Sequence, residues 1–151
     1  MNKKIIRKER IKDKEKDIID SINIVAENFP SEFEDFVSSG ITKDGIYKRM
    51  EFAIESIMDI LNIINSDLDL GTPETEESVI INISQNKIFS KKFIDLVKEM
   101  KKFRNILVHK YGKIDDEKAF ENIQEGIKDF EVIINEIEVF LKSQNSSKKE
   151  K

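Results

Sequence analysis

One histidine and the arginine five residues before it dominate the neutral-pH chemistry open to this 151-residue chain. They stand in the run Arg104-Asn105-Ile106-Leu107-Val108-His109-Lys110-Tyr111, which holds the only histidine, in a chain with no cysteine. Imidazole is the one side chain here whose ordinary pKa, about 6.5, lets it give and take a proton near neutrality. Arginine adds a permanent cation whose planar fork matches phosphate oxygens. Without cysteine there are no disulfides, thiolate metal sites or thiol nucleophiles. Proton transfer beside a bound anion is the chemistry this run can offer.

On a helix, Arg104 and Tyr111 are seven residues apart and almost eclipsed, and Asn105 and His109, four apart, share a face. Arg104 and His109 diverge by about 140°. The two converge on one ligand only if the arginine curls round or the last turn loosens near Gly112. Either residue alone, near a helix C-terminus, is accounted for by the helix dipole. Their spacing does not make a complete site in one subunit.

The elements that must hold this run read as all-α. Five Gly, two Pro and long apolar patterns of period 3.6 predict an up-and-down bundle of four main helices plus short ones. A first helix over about Lys4–Phe29 carries Ile11, Ile18, Ile22, Val25 and Phe29, with Pro30 marking its end. A short piece over Glu32–Ser38 closes at Gly40. A second long helix, Lys43–Asn65, carries Tyr47, Met50, Ile54, Ile57, Met58, Leu61 and Ile64. Gly71-Thr72-Pro73 breaks the chain, and Thr75–Ser84 reads as a short helix. Ser90 caps the helix Lys91–Tyr111, whose core stripe is Phe93, Leu96, Val97, Met100, Phe103, Ile106 and Leu107. Asp115 or Asp116 caps one last helix with Phe120, Ile123, Ile127, Phe130, Ile134, Ile137 and Leu141. Residues 1–142 make one domain, and 143–151 a polar tail expected to be disordered.

Composition narrows the setting. The chain is 38% hydrophobic and 37% charged, with no apolar run near the roughly 20 residues of a membrane span. The basic N-terminus leads into alternating charges and not an apolar signal core, so a cytoplasmic protein without a membrane partner is expected. The net charge of −4 argues against a generic nucleic-acid binder, but its distribution does not. Residues 87–113 hold nine Lys/Arg and two acids (Asp95, Glu99), a local charge of +7 that leaves −11 on the rest. Such a field can steer an anion to the histidine, although a solvated helix face would look the same. The acid pairs Glu76-Glu77 and Asp115-Asp116 invite a metal reading. Neighbouring side chains on a helix diverge, and Asp115-Asp116 already has a capping role, so no metal and no cofactor are expected.

Arg-Asn-x3-His-x-Tyr at the end of the penultimate helix resembles the signature of HEPN-superfamily proteins, in particular the HepT-like ribonuclease toxins. The likeness runs through the second-helix opening (Asp44 to Glu55), the loop Gly71-Thr72-Pro73-Glu74 and the block Lys102 to Tyr111 with Ile114-Asp115, covering about residues 10–140. It implies a metal-independent endoribonuclease acting as toxin beside a small nucleotidyltransferase antitoxin. It also implies a two-fold dimer whose two motifs line one cleft, with higher assembly left open. Arg104 and His109 are then the catalytic residues, Asn105 orients His109 or donates to phosphate, and Tyr111 contacts RNA or accepts a nucleotide from the antitoxin. Lys101, Lys102, Lys110 and Lys113 are candidate phosphate contacts, or simply solvated. The chemistry suits these residues: RNA cleavage without a metal needs a base, a cation on the phosphoryl group and an acid. One histidine cannot comfortably be both base and acid in a turnover, so a second copy across a two-fold axis would supply the other. The alternative is a non-catalytic HEPN subunit that binds nucleotide or RNA and partners a nucleotidyltransferase; beyond it stands a purely scaffolding dimer.

Overall fold

Three of the four long apolar stripes of the sequence become single long helices of a bundle, and the last divides between a short helix and the fourth long one. The computed structural model describes residues 5–109 and 113–149, with side chains to residue 144. Among these residues are seven helices and no strand. The long ones are α1 (Lys8–Asn28), α3 (Ile41–Asp67), α5 (Lys91–His109) and α7 (Asp129–Lys149). They close a ring in which α1 packs on α3, α3 on α5, α5 on α7 and α7 back on α1. Three short helices fill the ends: α2 (Phe33–Val37), α4 (Glu76–Gln85) and α6 (Asp116–Gly126). No helix among the described residues is long and apolar enough to cross a membrane.

Helix α3 is the axis. Ile54, Ile57, Met58, Ile60, Leu61 and Ile64 are all at most 2% exposed, so α3 buries most of its circumference, as a central element must. Ile11, Ile18 and Val25 of α1 and Phe93 and Val97 of α5 meet it at 0–1% exposure. At one end Phe29, Phe36 and Phe120 cluster with ring centroids 5.0–5.5 Å apart, joining α2 to α6.

The caps follow the sequence. Ser90 Oγ accepts from the Phe93 amide at 3.1 Å, and Asp115 accepts from the Lys118 amide at 3.2 Å. Thr75 and Ser78 form a reciprocal capping box on α4. Gly71 lies at φ +145°, and a Cβ there would sit 2.9 Å from Asn82, so the break before α4 needs glycine twice over.

Three expectations change. The last helix is two, because α6 ends at Gly126 and the chain turns through Ile127 and Lys128 before α7 begins at Asp129. The apolar period runs through the turn, since Ile123, Ile127 and Phe130 all face inward, and so hides it. Ile106 is 39% exposed and leaves the core stripe of α5. The first helix begins at Lys8 and not Lys4, with Arg7 at its N-cap position. At the other end α7 runs on as helix to Lys149.

One buried acid makes the bundle sensitive to pH. Glu15 of α1 is 5% exposed and faces Glu138 of α7, which Lys12 bridges at 3.0 and 3.2 Å. Burial, and then the hydrogen bond to Glu138, push the Glu15 carboxyl from 4.5 up to about 8. The folded protein therefore holds a proton between these values that the unfolded chain has lost. Stability falls as pH rises through this window, and the cost is complete above about 8. Glu15→Gln is expected to raise the melting temperature at pH 9 by roughly 5–10 °C, for about 2–3 kcal/mol of relieved cost. At pH 5 it should change little. Melting curves at the two pH values check this; an equal shift at both would contradict it.

Candidate functional site

Helix α5 carries the motif from a buried arginine to an exposed histidine. Arg104 is 7% exposed, whereas His109, in the last turn, lies open. Among the described residues the His109 side chain has no hydrogen-bond partner. This follows from the helix itself: residues 100, 103, 104 and 107 turn inward on α3 and α4, and 105, 106, 108 and 109 turn away. The motif is thus split across two faces of one helix.

What holds Arg104 is a pair of carboxylates from other elements. Its Nη1 donates to Glu76 Oε2 at 3.0 Å, its Nη2 donates to Glu76 Oε1, and Nη1 also reaches Glu55 Oε1 at 3.5 Å. Glu76 stands in the first turn of α4, and Glu55 on α3. The remaining edge, Nε, donates to Asn105 Oδ1 at 3.1 Å. The hydrogen bond from Arg104 holds the Glu76 carboxyl below its usual range against the opposing effect of burial; the same bond raises the arginine further. Asn105 therefore steadies Arg104 and makes no hydrogen bond to His109.

The predicted basic contacts divide. Lys101 is mostly buried and pairs with Glu77 at 3.3 Å, while Lys102 is exposed and pairs with Glu99 at 3.5 Å on its own helix. Both border, with Asn105, an open groove of about 700 Å³ between α4 and α5. Lys113 is exposed. Lys110, Tyr111 and Gly112 lie outside the described residues. The local charge of +7 is offset by acids that the fold brings in from elsewhere: Glu76 and Glu77 from α4 and Glu55 from α3. These same glutamates use the pair that had suggested a metal.

A second group beyond the sequence reading ties down the start of α6. Tyr47 Oη donates to Asp116 Oδ1 at 2.6 Å, and Lys43 Nζ donates to Asp116 Oδ2 at 2.8 Å. Burial and the Asp116 carboxylate push the Tyr47 phenol well up. Although burial opposes it, the hydrogen bonds from Lys43 and Tyr47 hold Asp116 low. The two adjacent aspartates thus divide the work: Asp115 caps α6, and Asp116 anchors it to α3. Lys43, Tyr47 and Asp116 line a cleft of about 520 Å³ that Leu107 and Ile114 also border.

Comparison with known proteins places this architecture. The chain is 28% identical over 95 residues to the mRNA nuclease HepT of Shewanella oneidensis, covering 63% of this chain and 71% of that protein. The solved tri-AMPylated HEPN toxin of Shewanella oneidensis, in complex with its MNT antitoxin, has the same fold. The TM-score is 0.77 at 24% identity, over 92% of this chain and 99% of that one. The cytosolic protein YutE of Bacillus subtilis shares the fold at 16% identity, with a TM-score of 0.78 over 94% and 95% of the two chains. The family model described as ribonuclease HepT-like matches residues 18–137, which take in both ends of the bundle and the whole Arg104–His109 run. The chain belongs to the HepT-like ribonuclease family.

Proposed function

We propose that this protein is a metal-independent endoribonuclease, the toxin of a pair with a minimal nucleotidyltransferase antitoxin, which cuts RNA with Arg104 and His109 in a cleft between two copies. The observation that carries this is the motif itself: within a HepT-like chain, an exposed histidine ends the helix that also holds a carboxylate-oriented arginine. The relative named as an mRNA nuclease supports the RNA substrate, and the fold neighbour bound to its antitoxin supports the partner. That neighbour is AMPylated, which supports Tyr111 as the residue a nucleotidyltransferase would modify.

The reaction needs no more than these groups. Neutral His109 takes the proton of a 2′-hydroxyl, and the 2′ oxygen attacks the adjacent phosphorus. Arg104 donates to the phosphoryl oxygens, where negative charge builds. The bond from phosphorus to the 5′ oxygen breaks, and the departing oxygen takes a proton from the second copy's cationic His109. The products are a 2′,3′-cyclic phosphate and a 5′-hydroxyl. A two-fold dimer provides both protonation states at once, which a chain with one histidine cannot do alone.

Induced expression tests the assignment. Growth should stop when the wild-type chain is made, and resume when a cognate nucleotidyltransferase is made with it. Unchecked growth under strong expression would contradict a toxin. The second reading, a non-catalytic binding subunit, is favoured by one observation: Arg104 is almost fully buried behind two carboxylates. It predicts a stable complex with the nucleotidyltransferase and no cleavage in any state of Tyr111.

A further inference from the structure

We propose that Glu76 is a latch on Arg104, occupying the guanidinium edge that an RNA phosphate must take and so setting the affinity for substrate. The inference rests on the assignment of Arg104 as the phosphate-binding residue. An arginine has five N–H donors. Here Nε is given to Asn105, both Nη1 hydrogens to Glu76 and Glu55, and one Nη2 hydrogen to Glu76. One donor is left. Two parallel N–H groups are what make arginine bind a phosphate well, and Glu76 holds both of the outer ones.

The arrangement also puts the carboxylates on the solvent side. The Arg104 side chain is 9% exposed, against 36% for Glu76 and 48% for Glu55. An incoming phosphate therefore meets two negative groups before the one positive group they enclose, and local charge opposes binding. Glu76 is the group able to leave. It lies in the first turn of α4, whose N-cap is independently secured by Thr75 and Ser78, so its side chain can swing outward without unwinding the helix. Swung out, its charge stays beside a helix N-terminus, which favours an anion. Glu55, at 3.5 Å, makes the weaker contact and would keep Arg104 in place during the exchange. The depressed pKa of Glu76 agrees with a carboxylate that stays ionised and competes at all physiological pH.

The test measures binding and cleavage separately. Glu76→Gln keeps the shape of the side chain and removes its charge. Glu76→Asp keeps the charge and retracts the fork, and serves if the glutamine variant folds poorly. The probe is a short RNA, and for binding its 2′-deoxy counterpart, which cannot be cut. Glu76→Gln is expected to tighten the uncleavable oligonucleotide by roughly 5- to 20-fold, the difference between a charged and a neutral acceptor on the guanidinium. In cleavage the gain should appear in KM and not in kcat. Glu76→Asp should move the same way by less, and Glu34→Gln, the same charge change on the exposed face of α2, should do neither. Adding Arg104→Ala to Glu76→Gln should erase the gain. Tighter binding without cleavage in any variant would keep the latch and reject the ribonuclease. Binding that is unchanged or weaker in Glu76→Gln, while wild type cleaves, would overturn the latch and leave the ribonuclease standing. A fall in kcat at constant KM would also overturn it, reducing Glu76 to a positioning residue.

Discussion

Alanine at His109 is expected to lower the rate of RNA cleavage by roughly 10²–10⁴-fold, the usual contribution of a placed acid–base group. The loss should fall on kcat if, as proposed, the histidine moves protons and does not hold the substrate. Folding should be untouched: His109 is exposed, at the end of α5, and its side chain has no hydrogen-bond partner among the described residues. An unchanged melting temperature beside the lost rate would separate chemistry from stability. In a dimer whose cleft uses two histidines, mixing wild-type and His109→Ala copies should depress activity more than in proportion to the wild type removed, since each mixed dimer loses its base or its acid. Strict proportionality in the mixing experiment would contradict the shared cleft.

Arg104→Ala is expected to do two kinds of damage. Losing the cation proposed to face the phosphoryl group should cost roughly 10²–10³-fold in kcat/KM, as for other preorganised donors that face developing charge. It should also lower stability. Glu76 and Glu55 would be left facing each other across a space the guanidinium filled, with no cation between them. Both carboxylates are more than a third exposed, so water screens much of this, and the expected cost is about 1 kcal/mol. The stabilisation from the depressed Glu76 carboxyl is present above its ordinary pKa and disappears as pH falls through the depressed value. The melting difference between wild type and Arg104→Ala should therefore shrink in acid. Arg104→Lys separates the roles: it restores a charge for Glu76 but not the fork, so it should recover most of the stability and little of the cleavage. Paired melting and cleavage assays on the two variants check both parts. A lysine variant with near wild-type cleavage would show that a point charge suffices.

Much of this was legible along the chain. The stripes of α1, α3 and α5 follow from period 3.6 because those helices pack long faces on one core, and period is what burial imprints on sequence. Ser90 and Asp115 as caps, and Gly71 at the break, follow from local chemistry that involves only a few neighbouring residues. The motif residues were legible as types and spacing. Their surroundings were not. Glu76 lies 28 residues from Arg104 and Glu55 lies 49 away, and their meeting depends on how α4 docks between α3 and α5. No local pattern encodes that docking. For the same reason the basic run from 87 to 113 overstated the field at the site, since a linear count omits acids delivered by other helices. Ile106 illustrates a limit of periodicity: it flanks the stripe at a position the period allows, yet lies at an open cleft that Met50 and Ile54 of α3 and Asn122 of α6 also border. The turn at Ile127-Lys128 was hidden because its apolar residues keep their phase across it, and only Gly126 hinted at it.

A ribonuclease built on the Arg104–His109 helix, as proposed, cuts RNA without a metal. The most direct measurement incubates the purified protein with a short labelled RNA in excess EDTA, beside the His109→Ala variant, and identifies the new 3′ ends. Wild type is expected to cleave and leave 2′,3′-cyclic phosphates, while the variant leaves the RNA intact. Cleavage that appears only when a divalent cation is restored, or that proceeds equally in the variant, would contradict the account.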